Sequence, residues 1–176
     1  ANGSSSAVDI SDNGRYVAFS SAATNLVAGD TNGTRDVFVY DLQTGVTTRV
    51  SMNTRGEEAD GGSSEPAISG DGRYVVFLSA SGNLDPRADE YSSDELVYVH
   101  DRQTGQTILV SVDSGGRILT VGLFLQPTIS NNGRYVAFSF YDKGDNNGIM
   151  NIWARDLQTG TSISVNYGND SSFGPS

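Results

Sequence analysis

One ten-residue block occurs three times in this chain of 176 residues. The copies are Ser11-Asp12-Asn13-Gly14-Arg15-Tyr16-Val17-Ala18-Phe19-Ser20, Ser69-Gly70-Asp71-Gly72-Arg73-Tyr74-Val75-Val76-Phe77-Leu78 and Ser130-Asn131-Asn132-Gly133-Arg134-Tyr135-Val136-Ala137-Phe138-Ser139. Their glycines are separated by 72 − 14 = 58 and 133 − 72 = 61 residues. A second block follows each copy: Val37 to Gly45, Val97 to Gly105 and Ile152 to Gly160, all ending Asp-x-Gln-Thr-Gly. Recurrence in constant order makes this a repeat protein, in which one small structural unit is stacked and neighbours bury each other's apolar faces.

Each unit reads as four short strands. The first ends at Ile10-Ser11, Ile68-Ser69 or Ile129-Ser130 and breaks at a polar tripeptide ending in Gly, which tolerates the positive φ of a tight hairpin. The second, Arg-Tyr-Val-(Ala/Val)-Phe, is apolar at consecutive positions, as in a strand buried on both faces. The third is Val37 to Tyr40 and its equivalents, turning at Asp-x-Gln-Thr-Gly. The fourth covers Thr47 to Ser51, Thr107 to Ser111 and Ser162 to Asn166. No segment has helical periodicity, so helix content is expected to be very low.

Composition narrows the function classes. With 11 basic and 21 acidic residues the formal charge is −10, which disfavours nucleic acid and anionic membrane surfaces as partners. There is no cysteine, which removes disulfides, thiolate metal sites and cysteine nucleophiles. No apolar run approaches the roughly 18 residues of a membrane-spanning helix, so membrane insertion is not expected.

Four antiparallel strands per unit, covered on both faces, describe a β-propeller blade. The Gly-Arg-Tyr-Val-(Ala/Val)-Phe and Val-Phe-Val-Tyr-Asp-Leu-Gln-Thr-Gly blocks resemble the TolB-like or PD40 group of WD40-like repeats, and the resemblance extends over nearly the whole chain. It implies an all-β fold and a bacterial periplasmic or extracellular location. The units run near 60 residues where WD40-type blades take roughly 40–45, with the excess in two loops per unit. Blade 1 is expected at about 1–58, blade 2 at about 59–117 and blade 3 at about 118–170. Ala1 to Ser6 aligns without gaps on Ala59 to Ser64, and Ser171 to Ser176 resembles the lead-in to a further blade. Since propellers close with about 4–8 blades, three blades predict self-association or the remainder of a longer ring.

Antiparallel order places the tight turns on one rim and the long loops on the other: 22–35, 53–65, 80–95, 113–125 and 141–150. Binding residues concentrate on such loops. There, Asp30-Thr31-Asn32-Gly33-Thr34-Arg35-Asp36 has the form Asp-x-Asn-Gly-x-x-Asp, echoed by Asp145-Asn146-Asn147-Gly148-Ile149-Met150-Asn151. Asp30, Asn32, Asp36, Asp145, Asn147 and Asn151 are therefore candidate ligands for a hard cation such as Ca²⁺. The same residues also suit an Asn-Gly turn with carboxylates capping local backbone groups; blade 2 has Leu96 where Asp36 aligns.

His100, the single histidine, falls where the other units have Tyr40 and Arg155, and no Gly-x-Ser-x-Gly elbow accompanies it. Glu57, Glu58 and Asp60 read as a solvated loop, Arg15, Arg73 and Arg134 as structural pairing groups, and Phe38, Tyr98 and Trp153 as core between blades. The sequence thus favours a non-catalytic binding or assembly module, with an accessory propeller domain of a peptidase, or a propeller hydrolase or lyase, as the alternative.

Overall fold

The computed structural model describes residues 1–91, 94–120, 122–143 and 149–165. They form three four-stranded antiparallel sheets, each built from four consecutive strands in sequential order. The first holds β1 (Ser5–Ile10), β2 (Tyr16–Ser21), β3 (Asp36–Asp41) and β4 (Val46–Arg49). The second holds β5 (Ser63–Ile68), β6 (Tyr74–Ser79), β7 (Leu96–Asp101) and β8 (Gln106–Leu109). The third holds β9 (Gly122–Ile129), β10 (Tyr135–Asp142), β11 (Met150–Asp156) and β12 (Ser162–Ser164). One 3₁₀ turn, Asp89–Tyr91, is the helical content of the described residues, and none of their helices is long and apolar enough to cross a membrane. The fourth strands are shorter than expected; the stretch 171–176, read as a lead-in to another blade, lies outside the described residues.

The repeated block folds the same way three times because its first serine, the Asn or Asp before its glycine and its arginine are all employed in joining the turns. The Ser11 hydroxyl accepts the Tyr16 N–H and donates to Asn13 Oδ1, which also accepts the Arg15 N–H. Ser69 and Asp71 repeat this around Tyr74, and Ser130 and Asn132 around Tyr135. Arg15, Arg73 and Arg134 then reach across to the third strand and grip Asp41, Asp101 and Asp156 in two-pronged ion pairs, with the closest nitrogen at 2.7 Å each time. Those aspartates accept the N–H of Gln43, Gln103 and Gln158, which joins the two turns of each blade on one rim.

The first strand of each sheet carries a bulge that residue types do not announce. Ala7, Glu65 and Gln126 occupy equivalent positions with φ of 48°, 48° and 51°, and the pairing register slips beside each. A bulge bends and twists a strand locally, and its recurrence shows that the units match in backbone as well as in sequence.

Sheets stack face to face through these first strands: β5 lies against β1, β2 and β3, and β9 against β5, β6 and β7. The core is continuous across all three, with Phe38, Phe77, Tyr98 and Phe124 fully buried. The expectation that the second strand is buried on both faces holds in the middle sheet, where every residue of β6 after Tyr74 is buried. In β10 burial alternates instead, since the third sheet has a described neighbour on one face only.

Candidate functional site

The long loops meet on the rim opposite the tight turns, and at the outer corner of blade 1 they bring four charged side chains together. Asp30 comes from the β2–β3 loop, Asp36 from the first residue of β3, Arg49 from the last of β4, and Glu58 from the following loop, bridged to Met52. Carboxylate oxygens of Asp30, Asp36 and Glu58 all lie within 4.8 Å of one another. Arg49 Nη1 sits among them, 2.7 Å from Glu58, 3.6 Å from Asp36 and 3.8 Å from Asp30. Its Nη2 donates to the carbonyl of Gly29 at 3.0 Å.

Most of this corner is hydrogen-bonded. Asp36 accepts the Ser51 hydroxyl at 2.5 Å and the Asn32 amide at 3.1 Å. Glu58 accepts both the backbone N–H and the hydroxyl of Thr31. Asn32 also donates to the Ala59 carbonyl while its oxygen accepts the Thr34 N–H, so its NH₂ is the group turned toward Asp36. Asp30 Oδ1 and Arg49 Nε are buried without a hydrogen bond. Burial pushes the Asp36 carboxyl above its ordinary range, partly offset by bonds from Ser51 and Asn32 and by Arg49. The Thr31 hydroxyl, ahead of Arg49, holds Glu58 below its ordinary range.

Of the residues proposed from sequence as cation ligands, the structure brings Asp30 and Asp36 together. Asn32 stands beside Asp36 with its nitrogen, not its oxygen, facing it. Asn151 is buried on β11 at the position that Asp36 holds on β3, facing a cleft of about 140 Å³ lined also by Asp113, Arg117, Phe140 and Trp153. Asp145 and Asn147 lie outside the described residues. A Ca²⁺ ion takes six to eight oxygens, whereas at blade 1 an amide nitrogen and a guanidinium occupy the space between the carboxylates.

Arg49 and Glu58 were missed as partners of Asp36. Aligning the repeats on Val50-Ser51 and Val110-Ser111 would have signalled them: Arg49 aligns with Leu109 and Glu58 with Ile118. Glu58 is thus a member of a built corner and not a solvated loop residue. Asp60 likewise has partners, accepting the Ser81 hydroxyl at 2.6 Å and the Gly82 N–H at 3.0 Å.

His100 is buried on β7, with Nδ1 2.9 Å from the Thr107 hydroxyl, which donates to the Met52 carbonyl of the previous blade. Burial pulls its pKa down to about 4, so at neutral pH it is an uncharged packing group. Phe38 and Tyr98 are fully buried, as expected of core aromatics, and Tyr98 donates to the Ser81 carbonyl at 3.3 Å. Trp153 is half-buried at the edge of the cleft.

No family model and no curated protein matches this sequence. Solved structures do. A TolB structure from Agrobacterium tumefaciens superposes with a TM-score of 0.56 at 16% identity, over 92% of this chain and 48% of that one. The β-propeller domain of the Trilobed protease from Pyrococcus furiosus gives 0.58 at 13% identity, over 92% and 41%. An oligogalacturonate lyase in complex with manganese gives 0.56 at 12%, over 88% and 37%. This chain therefore spans less than half the length of these solved chains, and the shared property is the fold. The three sheets are β-propeller blades, structurally similar to those of TolB-type propellers.

Proposed function

We propose that this chain is a non-catalytic binding or assembly module of an exported bacterial protein, a run of propeller blades that docks further blades on its two end sheets. One comparison carries this reading. Ile68 and Ile129, at equivalent places on the first strands of blades 2 and 3, are 6% and 7% exposed beneath the preceding sheet, whereas Ile10 on blade 1 is 52% exposed. A residue type that is buried wherever a neighbour exists marks a face built for a neighbour. A protease propeller domain among the similar structures supports a role beside other domains or subunits. Within this reading Arg49 serves as the cation of the blade 1 corner, in the place for which Ca²⁺ was the candidate.

Sedimentation velocity of the wild type and of Ile10→Glu, with the dye ANS as a reporter of uncovered apolar surface, tests the proposal. The wild type is expected to associate as its concentration rises, and Ile10→Glu to stay smaller while keeping its thermal transition. Identical sedimentation at every concentration, with neither protein binding dye, would remove the docking-face reading.

A further inference from the structure

Inside the chain, each blade is fastened to the next by a tyrosine seated on a glycine. The Tyr16 ring of blade 1 lies on the Gly72 turn of blade 2, so close that a Cβ on Gly72 would overlap it. Arg102, from the second turn of blade 2, closes over the same ring at 4.4 Å from its centroid and donates to the Gly72 carbonyl at 2.5 Å. The Tyr74 ring of blade 2 meets Gly133 of blade 3 in the same way, and a Cβ there would overlap it too. Leu157, the counterpart of Arg102, is half-buried against the core.

Among the described residues, the two ends of the stack hold the unmatched halves of this fastener. Tyr135, the third member of the Tyr16 and Tyr74 series, is 45% exposed on the open face of blade 3. Gly14, the first member of the Gly72 and Gly133 series, has the same positive φ, and a Cβ on it would meet nothing within 4 Å. Around Gly14 runs a shallow open groove lined by Asn13, Arg15, Leu42 and Gln43. On blade 2 the counterparts of Gly14 and Leu42, Gly72 and Arg102, are the residues that hold the seated Tyr16. Leu42, the counterpart of Arg102 and Leu157, is exposed there, as is Val8 beside Ile10.

We propose that the occupant of each open end is a second copy of this chain, with Tyr135 of one copy seated on Gly14 of the other under Leu42. This rests on the docking-face reading above and names its partner. The interface would be the one already formed twice within the chain, so its shape and chemistry are tested by the protein's own interior. A head-to-tail contact generates a ring when its rotation closes. Two sets of the three described blades make six, within the span of known propellers, and both contacts form at once.

Two variants and their mixture test the arrangement. Asn accepts the left-handed conformation, so Gly14→Asn leaves the blade 1 turn folded while filling the seat; Tyr135→Ala removes the knob. Analytical ultracentrifugation is expected to show the wild type at twice the monomer mass and each variant as a monomer with unchanged circular dichroism. Mixing the variants one to one should restore a dimer, because the intact Gly14 of the Tyr135→Ala copy receives the intact Tyr135 of the other. A contact between like faces would not be rescued by mixing. A monomeric wild type, or variants that remain monomeric on mixing, would overturn the proposal. A dimer lost in Ile10→Glu but untouched by Gly14→Asn and Tyr135→Ala would overturn it while leaving the docking-face reading standing.

Discussion

The outer corners of blades 1 and 2 hold the same loops by opposite means. Asp36, Arg49 and Glu58 in blade 1 occupy the places of Leu96, Leu109 and Ile118 in blade 2. The register shows the equivalence: Asp36 and Leu96 pair with Ser21 and Ser79, Arg49 and Leu109 with Phe38 and Tyr98, and Glu58 and Ile118 bridge to Met52 and Val112. Ser51 and Ser111 are constant between them, each accepting the N–H of the residue after the corner position at 3.1 Å. Backbone geometry therefore does not require charge at this corner. An apolar trio closes it by excluding water; the ionic trio, joined by Asp30, closes it by directional bonds, at the cost of stripping water from three carboxylates and a guanidinium.

The largest effect should come from breaking the ionic corner on one side. Arg49→Ala leaves Asp30, Asp36 and Glu58 facing one another without a counter-charge, and a loss of about 3–5 kcal/mol is expected in urea unfolding at pH 7. Part of that loss should return on acidification. Asp36 already binds its proton more tightly folded than unfolded, and a group with a raised folded pKa adds stability at low pH that is lost as pH rises. The cavity left by Arg49→Ala also opens the cluster to a divalent ion, so Ca²⁺ should raise the melting temperature of the variant and leave the wild type unmoved. A wild-type melting temperature that rises with Ca²⁺ and falls with EDTA would show that Arg49 does not replace the metal.

Converting the corner completely asks whether the two solutions are interchangeable. Asp36→Leu, Arg49→Leu and Glu58→Ile import the blade 2 trio, with Asp30→Asn to avoid stranding a buried charge. Exchanging a buried ionic group for well-packed apolar side chains is often neutral or stabilising by about 1–4 kcal/mol, and the chemical denaturation midpoint should stay level or rise. A fall would mean that the hydrogen bonds from Thr31, Asn32 and Ser51 hold the loops in a way the apolar trio cannot match.

How much of this could be read from residues alone depends on whether a feature repeats. The sheets, their strand order, the hairpins and the structural role of the repeated arginines were legible, because the Ser-x-(Asn/Asp)-Gly-Arg-Tyr block uses its own side chains to close its own turn; that the arginines pair with Asp41, Asp101 and Asp156 came from the fold. The ionic corner was half legible. Asp30 and Asp36 stood out within one loop, but Glu58 arrives from another loop and Arg49 from a strand end, and only tertiary folding brings them together. The bulges at Ala7, Glu65 and Gln126 were invisible, since three unlike side chains adopt one backbone shape imposed by the stacked sheets.

The side of blade 2 that faces blade 1 offers a pH-dependent contrast to the corner. His100 replaces Tyr40 of blade 1 and must stay neutral to remain buried, with its pKa lowered to about 4. A histidine with a depressed folded pKa contributes stability above its unfolded value, near 6.5, that is lost as pH falls toward 4. The expected loss across that window is on the order of 2 kcal/mol. His100→Asn should flatten the stability profile there. A wild-type profile already flat between pH 6.5 and 4 would place the ring in contact with water.

The smallest effects belong to the Arg–Asp pairs that join the turns, which are alike in all three blades and so should show none of the contrast between corners. Their arginine side chains are more than a third exposed, and exposed ion pairs contribute little. Asp41→Asn, Asp101→Asn and Asp156→Asn keep the acceptor for the Gln N–H and lose the charge, so each should shift the denaturation midpoint less than any change above. Arginine holds each of these carboxyls below its ordinary range, Asp101 down to about 2. Stability from a carboxylate with a lowered pKa is present above its unfolded value and lost as pH falls through the folded one. The three Asn variants should therefore differ from wild type at pH 7 and converge on it in strong acid, as pH falls through the lowered value of each carboxyl. A markedly larger loss for Asp101→Asn would show that the middle blade, covered on both faces, buries its pair more effectively than the end blades do.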